Sequence, residues 1–399
     1  SRGEETDSRR SLTSSRQGGI IVKKWWPLFA LGLAQFVMVL DQSVMNVSIS
    51  TLVVDFDTNV STIQAVITLY SLTMAVLMLT GGKIGDIIGR RRAFSLGLVI
   101  YGCGSIVTAI APNVLVLALG WSILEGLGAA LVMPALVALI AGNYEGKERN
   151  VAYAVIGGVA GAGIAVGPIL GGWATTEFSW RYVFVGEAIL VLLILIMVRV
   201  IGDAPRPSPI PRLDVVGAAL SAAGLGLVVL AVLYSSTWGW VEPKDSPWEP
   251  LGFSMTLVVI AAGVVLLAAF VAWQRRREAR GRDPLVHLQL FGIPPLRAGL
   301  IGLFSQNISL LGIFFTVPLY LQLVIGLDAL QTGIRMLPVS IAMFLASAIG
   351  ARLTSSYSVR GIVRTGLGVT LASVLLLAWT IQPDLADAAF ALSMAGLGL

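Results

Sequence analysis

Two acidic residues stand where acids are costly. Asp41 lies in FVMVLDQSVMNVSIS and Glu125 in GWSILEGLGAALVMP; a further acid, Glu187, lies in YVFVGEAILVLLILIM. If these runs cross a bilayer, an ionised side chain near the middle of one costs about 2.5–3.5 kcal/mol on insertion scales. Such residues mark ion pathways and proton relays. A carboxyl away from water favours its neutral form, which suits a group that binds and releases protons or attracts a cation. Counted along the first run, Asp41 falls about midway between Lys24 and Asp55, near the midplane, with Met38, Met45 and Ser48 on its helix face. Glu125 lies at a similar depth, about 12 residues from either end region of its run. Glu187 is placed nearer the outside. No Lys, Arg or His lies on the central parts of these stretches, so a buried ion pair does not explain them.

The rest of the chain supplies the membrane. Of 399 residues 56% are hydrophobic and 12% charged, against roughly 25% charged in soluble domains. A span needs about 20 mostly apolar residues. Eleven segments qualify, at 25–54, 61–82, 93–110, 113–142, 150–173, 180–201, 215–237, 251–273, 296–324, 331–352 and 361–381. A twelfth begins near 385 and the sequence stops inside it, so the chain is expected to be truncated. The connecting loops alternate in charge. One side holds 24 of the 27 Lys and Arg residues, leaving Arg181, Lys244 and Arg335 on the other. The positive-inside rule then puts the N-terminus in the cytoplasm, and the net charge of +5 reflects topology rather than nucleic-acid binding. The polar residues 1–24 read as a disordered cytoplasmic tail. Trp238, Trp240 and Trp248 in the outer loop read as interface anchors. The single cysteine, Cys103, excludes a disulfide framework and a cysteine zinc site. No Gly-x-x-x-x-Gly-Lys-Ser/Thr phosphate loop, metal cluster or catalytic triad is present, and His287, the only histidine, reads as a surface residue. Hydrolytic catalysis and direct use of ATP are disfavoured; no cofactor is expected.

Two long Pro- and Arg-rich inner connections, 199–214 and 274–295, bracket a two-helix unit. This divides the chain into an N-terminal six-helix bundle (25–201), a linker with two extra helices (202–295) and an incomplete C-terminal bundle (296–399). GGKIGDIIGRRRAFSLGL after the second span has a counterpart, GARLTSSYSVRGIVRTGLG, after the tenth. Matching pairs of this kind fit the parallel-repeat architecture of transporters, with a site between the halves. In GAGIAVGPILGGW, Gly163, Gly167 and Gly171 recur on one helix face, with Gly172 beside them. That face suits close helix packing, and Pro168 favours a kink.

Together these motifs resemble the major facilitator superfamily, and within it the fourteen-helix drug:proton antiporter branch. The spacing Gly82-x-x-x-Asp86-x-x-Gly89-Arg90-Arg91 resembles the family's gating loop between helices 2 and 3, although Ile87 stands where the family usually has a base. The Gly163–Gly172 run with Pro168 resembles the antiporter signature of the fifth helix, associated with exporters. Asp41 and Asn46 match recurrent first-helix positions of the branch. WRYVF (180–184), PLVHLQLF (284–291) and VPLYLQLVIGLDALQTGIRMLP (317–338) resemble its later segments. The resemblance covers residues 25–399.

It implies an all-α membrane fold of two six-helix bundles with two inserted helices. It also implies a proton-coupled exporter of small apolar or cationic molecules, working as a monomer in the plasma membrane without nucleic acid. Asp41 and Glu125 would couple protons. Gln42, Asn46, Trp121, Ser122, Gln306, Asn307, Tyr320 and Gln322 would line the cavity. Other readings stay open: export of an endogenous lipid, siderophore or amino acid, an importer, or a non-transporting receptor or scaffold. In the fourth helix Ser122 and Glu125 stand where the branch usually carries Arg and Gln, and in the sixth Glu187 replaces the usual Asn. Glu125 is then either a neutral stand-in for Gln or half of a two-carboxylate site with Asp41, since neighbouring acids resist ionising together.

Overall fold

The computed structural model describes residues 2–205, 208, 210–248, 252–381 and 387–398. Side chains are described from Lys24 onward, apart from scattered positions that include Val47, Pro168 and Arg352. Every regular element among them is helical: α1 (Arg2–Val47), α2 (Ile49–Asp55), α3 (Val60–Ile88), α4 (Arg90–Ala109), α5 (Val114–Leu117), α6 (Gly126–Asn143), α7 (Gly146–Glu177), α8 (Arg181–Met197), α9 (Val215–Trp238), α10 (Met255–Ala279), α11 (Pro294–Leu323), α12 (Ala329–Ser356), α13 (Val359–Thr380) and α14 (Asp387–Gly398). Ten helices among the described residues are long and apolar enough to cross a membrane. In lipid only such closed hydrogen-bonding elements satisfy the backbone.

Nine of the eleven expected spans are found within a few residues; the first closes at Asn46 instead of 54, and the segment 331–352, within α12, is not among the ten. The tail departs from expectation, because helical backbone begins at Arg2 and runs unbroken into the first span. Its sequence has no proline before Pro27 and sets Glu5 four residues before Arg9, a spacing that supports helix.

The first six spans share one core, in which Leu31, Met45, Tyr70, Phe94, Tyr101, Trp121, Trp180 and Phe184 are fully buried. Polar clamps close both ends. At the end where the first span begins Lys24 pairs with Glu148 at 2.6 Å, Trp25 stacks on Tyr144 at 5.2 Å, and the Leu28 N–H donates to the Tyr144 hydroxyl. At the opposite end Asp55 accepts from Trp180 (2.8 Å) and Arg181 (3.2 Å), and Arg181 also reaches the Ala111 carbonyl. A second, smaller core joins α11, α12, α13 and α14 through Val317, Leu321, Met336, Leu377 and Phe390.

The two halves meet along α7. One face of α7 presses on α1: a Cβ on Gly163 would come within 3.1 Å of the Val39 side chain, one on Gly171 within 3.1 Å of the Val44 Cα, and one on Gly167 would overlap Ser43. The neighbouring face meets α12, where a Cβ on Gly161 would lie 3.1 Å from Met343 and the Ser347 hydroxyl donates to the Ala154 carbonyl. The glycine stripe read from the sequence is thus a helix-packing face between α1 and α12. The Pro168 side chain lies outside the described residues.

The inserted pair packs together, with α9 also lying against α3. Asp214 caps α9 through the Gly217 N–H and accepts from Trp273 and Gln274 of α10, while Arg277 stands 3.5 Å away. Burial alone would raise this carboxyl. The donors from Trp273, Gly217 and Gln274 and the Arg277 charge outweigh it and hold the group below its ordinary value.

Replacing Gly167 by Val should force α1 from α7 and cost about 1–3 kcal/mol, seen as a lower melting temperature of the full-length protein in detergent. Gly186→Ala, with nothing within 4 Å of its Cβ position, should leave it unchanged. A depressed native carboxyl stabilises the fold fully above its unfolded value of about 3.9 and loses that contribution as pH falls through the native value. Asp214→Asn should therefore lower the melting temperature at neutral pH, with the gap to wild type closing as pH falls below that value.

Candidate functional site

The Glu125 run does not continue as ordinary α-helix. Between α5 and α6, residues Ala118–Glu125 wind as a π-helix, whose i→i+5 bonding widens the turn and is frequent at functional sites. Trp121, Ser122 and Glu125 all face inward, 0–1% exposed. The wide turn fits only because its neighbour lacks side chains. A Cβ on Gly104 of α4 would lie 2.6 Å from the Glu125 Cγ and 2.8 Å from the Gly120 carbonyl oxygen, and one on Gly120 would lie 2.7 Å from the Thr108 nitrogen.

α8 brings the third acid. Its inward face carries Phe184, Glu187, Val191 and Ile194, all buried, at helical spacing, while Ile189, Leu192 and Ile196 point outward and are about 60% exposed. A carboxyl on a membrane helix takes the bundle side because lipid offers it no partner.

Asp41, Glu125 and Glu187 therefore meet. One carboxyl oxygen from each lies within 4.8 Å of the others, and the three residues are 0%, 0% and 1% exposed. Asp41 Oδ1 accepts from the Trp121 indole N–H at 2.7 Å, and Trp121 stacks on Tyr70 with centroids 4.8 Å apart. Glu125 Oε1 accepts from the Thr108 hydroxyl at 3.3 Å, and the Ser122 hydroxyl donates to the Val66 carbonyl at 2.7 Å. Asp41 Oδ2, Glu125 Oε2, both Glu187 oxygens and the Tyr70 and Tyr101 hydroxyls have no hydrogen-bond partner. The ion pairs among the described residues lie elsewhere, at helix ends and in connecting segments. Two negative charges just under 5 Å apart repel by roughly 3–4 kcal/mol at an effective dielectric near 20. This cage cannot hold all three acids ionised. Chemically its carboxyls can take up or release protons, and its all-oxygen donor set could also suit a hard cation.

One sequence-based placement changes: Asp41 does not lie midway along its span. The first apolar span closes at Asn46 rather than near residue 54, and the chain bends at Ser48 before α2. Asp41 is thus six residues from the outer end of α1, about 9 Å, and Glu187 is six residues from the start of α8. The two acids share a depth. The sequence also carries no metal-ligand spacing, yet the fold gathers three carboxyls from three separate helices. The signal for Glu187 was available: a lone acid in an otherwise apolar span belongs with the other intramembrane acids.

Of the remaining expected residues, Trp121 and Ser122 join the cage. Gln42 is half-buried one residue from Asp41, while Asn46 is exposed and donates to the Gln42 carbonyl. In the second half Gln306 and Asn307 are exposed on α11, the Asn307 amide turning back to the Leu303 carbonyl; Tyr320 and Gln322 are half-buried. The 81–92 loop is a tight turn. Gly89, between α3 and α4, has φ +101°, a conformation glycine alone adopts freely. Arg90 pairs with Asp86 and donates to the Gly82 carbonyl at 2.9 Å. Arg91 binds Asp203 through its N–H and the Ile201 carbonyl through its guanidinium. Lys83 donates to the Pro284 carbonyl at 3.1 Å, so the loop is tied to the segment after the inserted pair. Gly172 is buried beside Gly171.

A helical membrane bundle with a dry acid cage in one half and a small-residue seam to the other defines a secondary-transporter architecture. The sequence profile of the Major Facilitator Superfamily matches residues 31–399, and the chain belongs to this family of membrane transporters, which are not enzymes. It is 31% identical over 373 residues to "Puromycin resistance protein pur8" of Streptomyces alboniger, covering 91% of this chain and 69% of that one. It is 26% identical over 402 residues to "Tetracenomycin C resistance and export protein" of Streptomyces glaucescens, covering 99% and 71%. Among solved structures, crystalline tetrameric PepTSo2 superposes with TM-score 0.59 at 16% identity, over 94% of this chain and 81% of that one. That likeness concerns the fold alone.

Trp121→Phe keeps the ring on Tyr70 and deletes the donor to Asp41. Leaving a buried carboxyl oxygen unpaired should cost about 1–3 kcal/mol, read as a fall in melting temperature. In Asp41→Leu, which removes the acceptor, the same Trp121→Phe change should cost little.

Proposed function

We propose that the chain is the transport core of a proton-coupled exporter of small apolar or cationic molecules, resident in a bacterial plasma membrane with its N-terminus cytoplasmic and acting as a monomer. The observation that carries this reading is the acid cage. Buried carboxyls without a base have no structural partner to justify them, and they change charge by gaining or losing protons. The relatives, named for resistance to or export of antibiotics, support efflux of molecules of that kind. The excess of Lys and Arg on one side supports the orientation.

In this mechanism the bundles rock about the α7 seam. When the cage opens to the acidic side, Asp41 or Glu125 takes up a proton, becomes neutral and loses its hold on a cationic substrate. The neutral state returns inward, where the proton leaves and substrate binds again. Gln42, Asn46, Trp121 and Ser122 line the first-half side of the path; Gln306, Asn307, Tyr320 and Gln322 line the other once the halves close on substrate. The Gly82–Arg91 turn, fixed by Asp86–Arg90 and Lys83–Pro284, holds the inner ends in one of the two states.

The full-length protein, expressed in a drug-sensitive bacterium, should lower puromycin or ethidium accumulation, and a protonophore should abolish the effect. Asp41→Asn and Glu125→Gln should each reduce proton-driven export on the order of tenfold or more, a barrier change of about 1.4 kcal/mol or more. Export indifferent to the protonophore would sink the antiport mechanism. Full activity in both variants would remove these two residues from it.

A further inference from the structure

We infer that Glu187 is the third proton-carrying carboxyl of the cage, so that each transport cycle exchanges two protons rather than one. This inference rests on the antiport reading above and extends it to a residue outside the proposed pair.

The groups that face the cage are few. α1 contributes Asp41 and Gln42, α3 Tyr70, α4 Tyr101, Ser105 and Thr108, the π turn Trp121 and Glu125, and α8 Glu187. None is a base. The acids differ in the donors fixed on them. Asp41 has the indole N–H at 2.7 Å, Glu125 only a hydroxyl at 3.3 Å, and Glu187 none. The closed cage therefore has one place for a negative charge, at Asp41, and the protons on Glu125 and Glu187 serve as the missing donors. Independently of the acids, the Tyr70 and Tyr101 hydroxyls, 1% and 0% exposed and without partners, stand against Asp41, and Tyr101 also against Glu187. Buried oxygens aimed at the acids without a fixed partner among the described residues suit a proton that comes and goes between them.

Mutual repulsion sets the count. In a cluster of adjacent acids the last proton is the hardest to remove. A pair thus exchanges one proton readily, and a triad exchanges two. Each exchange is a simple transfer: a carboxyl O–H bond breaks as the proton passes to water on the inner side, and it re-forms with a proton from water on the outer side. No redox partner is needed. Glu187, on a third helix at the same depth as Asp41, makes the pair a triad.

The test uses full-length protein and two readouts. Infrared difference spectra between acidic and alkaline pH, in detergent, count protonated carboxyl groups without any substrate. Wild type should lose the carbonyl signal of one more acid than Glu187→Gln does, and Glu187→Asp should restore it. Wild type should lose two carboxyl signals, and carbon-13 labelling of glutamate side chains should shift one of them and leave the other, that of Asp41, in place; this covers the case in which Glu187→Gln does not fold. In proteoliposomes, puromycin gradients held at balance against a set proton gradient should give two protons per puromycin in wild type and one in Glu187→Gln. Identical infrared differences in wild type and Glu187→Gln overturn the inference, as does a signal that ignores pH but responds to sodium or calcium, which would make the cage a metal-cation site. Proton-driven export with the same ratio in both proteins sinks this inference alone. Export that ignores the proton gradient sinks the antiport reading together with it.

Discussion

Repulsion between carboxyl groups in a space closed to solvent governs the N-terminal half. Among the described residues no base pairs with Asp41, Glu125 or Glu187, and the nearest alternatives are an indole N–H and a hydroxyl. Much of the surrounding architecture serves to keep these groups close and dry. Tyr70 and Trp121 stack as a flat wall beside Asp41. Outside the bundle, Asp55, Trp180 and Arg181 seal the end that lies nearest the acids. An arrangement that costs stability and is nonetheless built from several helices at once belongs to function rather than to folding.

The π-helical stretch shows how backbone is used to the same end. An α-helical Ala118–Glu125 would place successive residues about 100° apart and could not turn Trp121, Ser122 and Glu125 all inward over one neighbour as easily. The wider turn consumes space, and Gly104 and Gly120 give it back by letting α4 approach backbone to backbone. The same bulge that aims the indole at Asp41 therefore aims Glu125 at it too. One irregular turn sets both the donor that favours charge on Asp41 and the acid that opposes it.

Most membrane spans and the glycine seam are legible because each is a matter of composition or spacing. Asp41 and Glu125 were legible as acids in apolar runs. The depth of Asp41 is not legible from a count between Lys24 and Asp55, because a bend at Ser48 does not show in a count. The π turn left no trace, since a 3.6-residue period was assumed throughout. The second-half residues Gln306 and Asn307 were chosen for polarity alone; they face outward in this conformation, and polarity does not say which face of α11 turns inward when the halves meet.

The placement of α7 joins the cage to the other half. Its glycines lie against Val39, Ser43 and Val44, the residues two before, two after and three after Asp41 on α1. Its other contact is α12, through Gly161 on Met343 and Ser347 on Ala154. Closely packed helices move as units, because sub-ångström overlaps are not absorbed locally. A shift of α12 that carries α7 with it must then either slide along the glycine face or displace α1 next to Asp41. Small residues make the first option smooth, and the Ser48–Thr175 hydroxyl contact at 3.3 Å ties the end of α1 to α7 for the second. The stripe that reads in the sequence as an exporter signature is, in physical terms, the surface on which the second half bears on the helix that carries the first acid. Whether the cage is wet or dry then depends on how far that surface has moved.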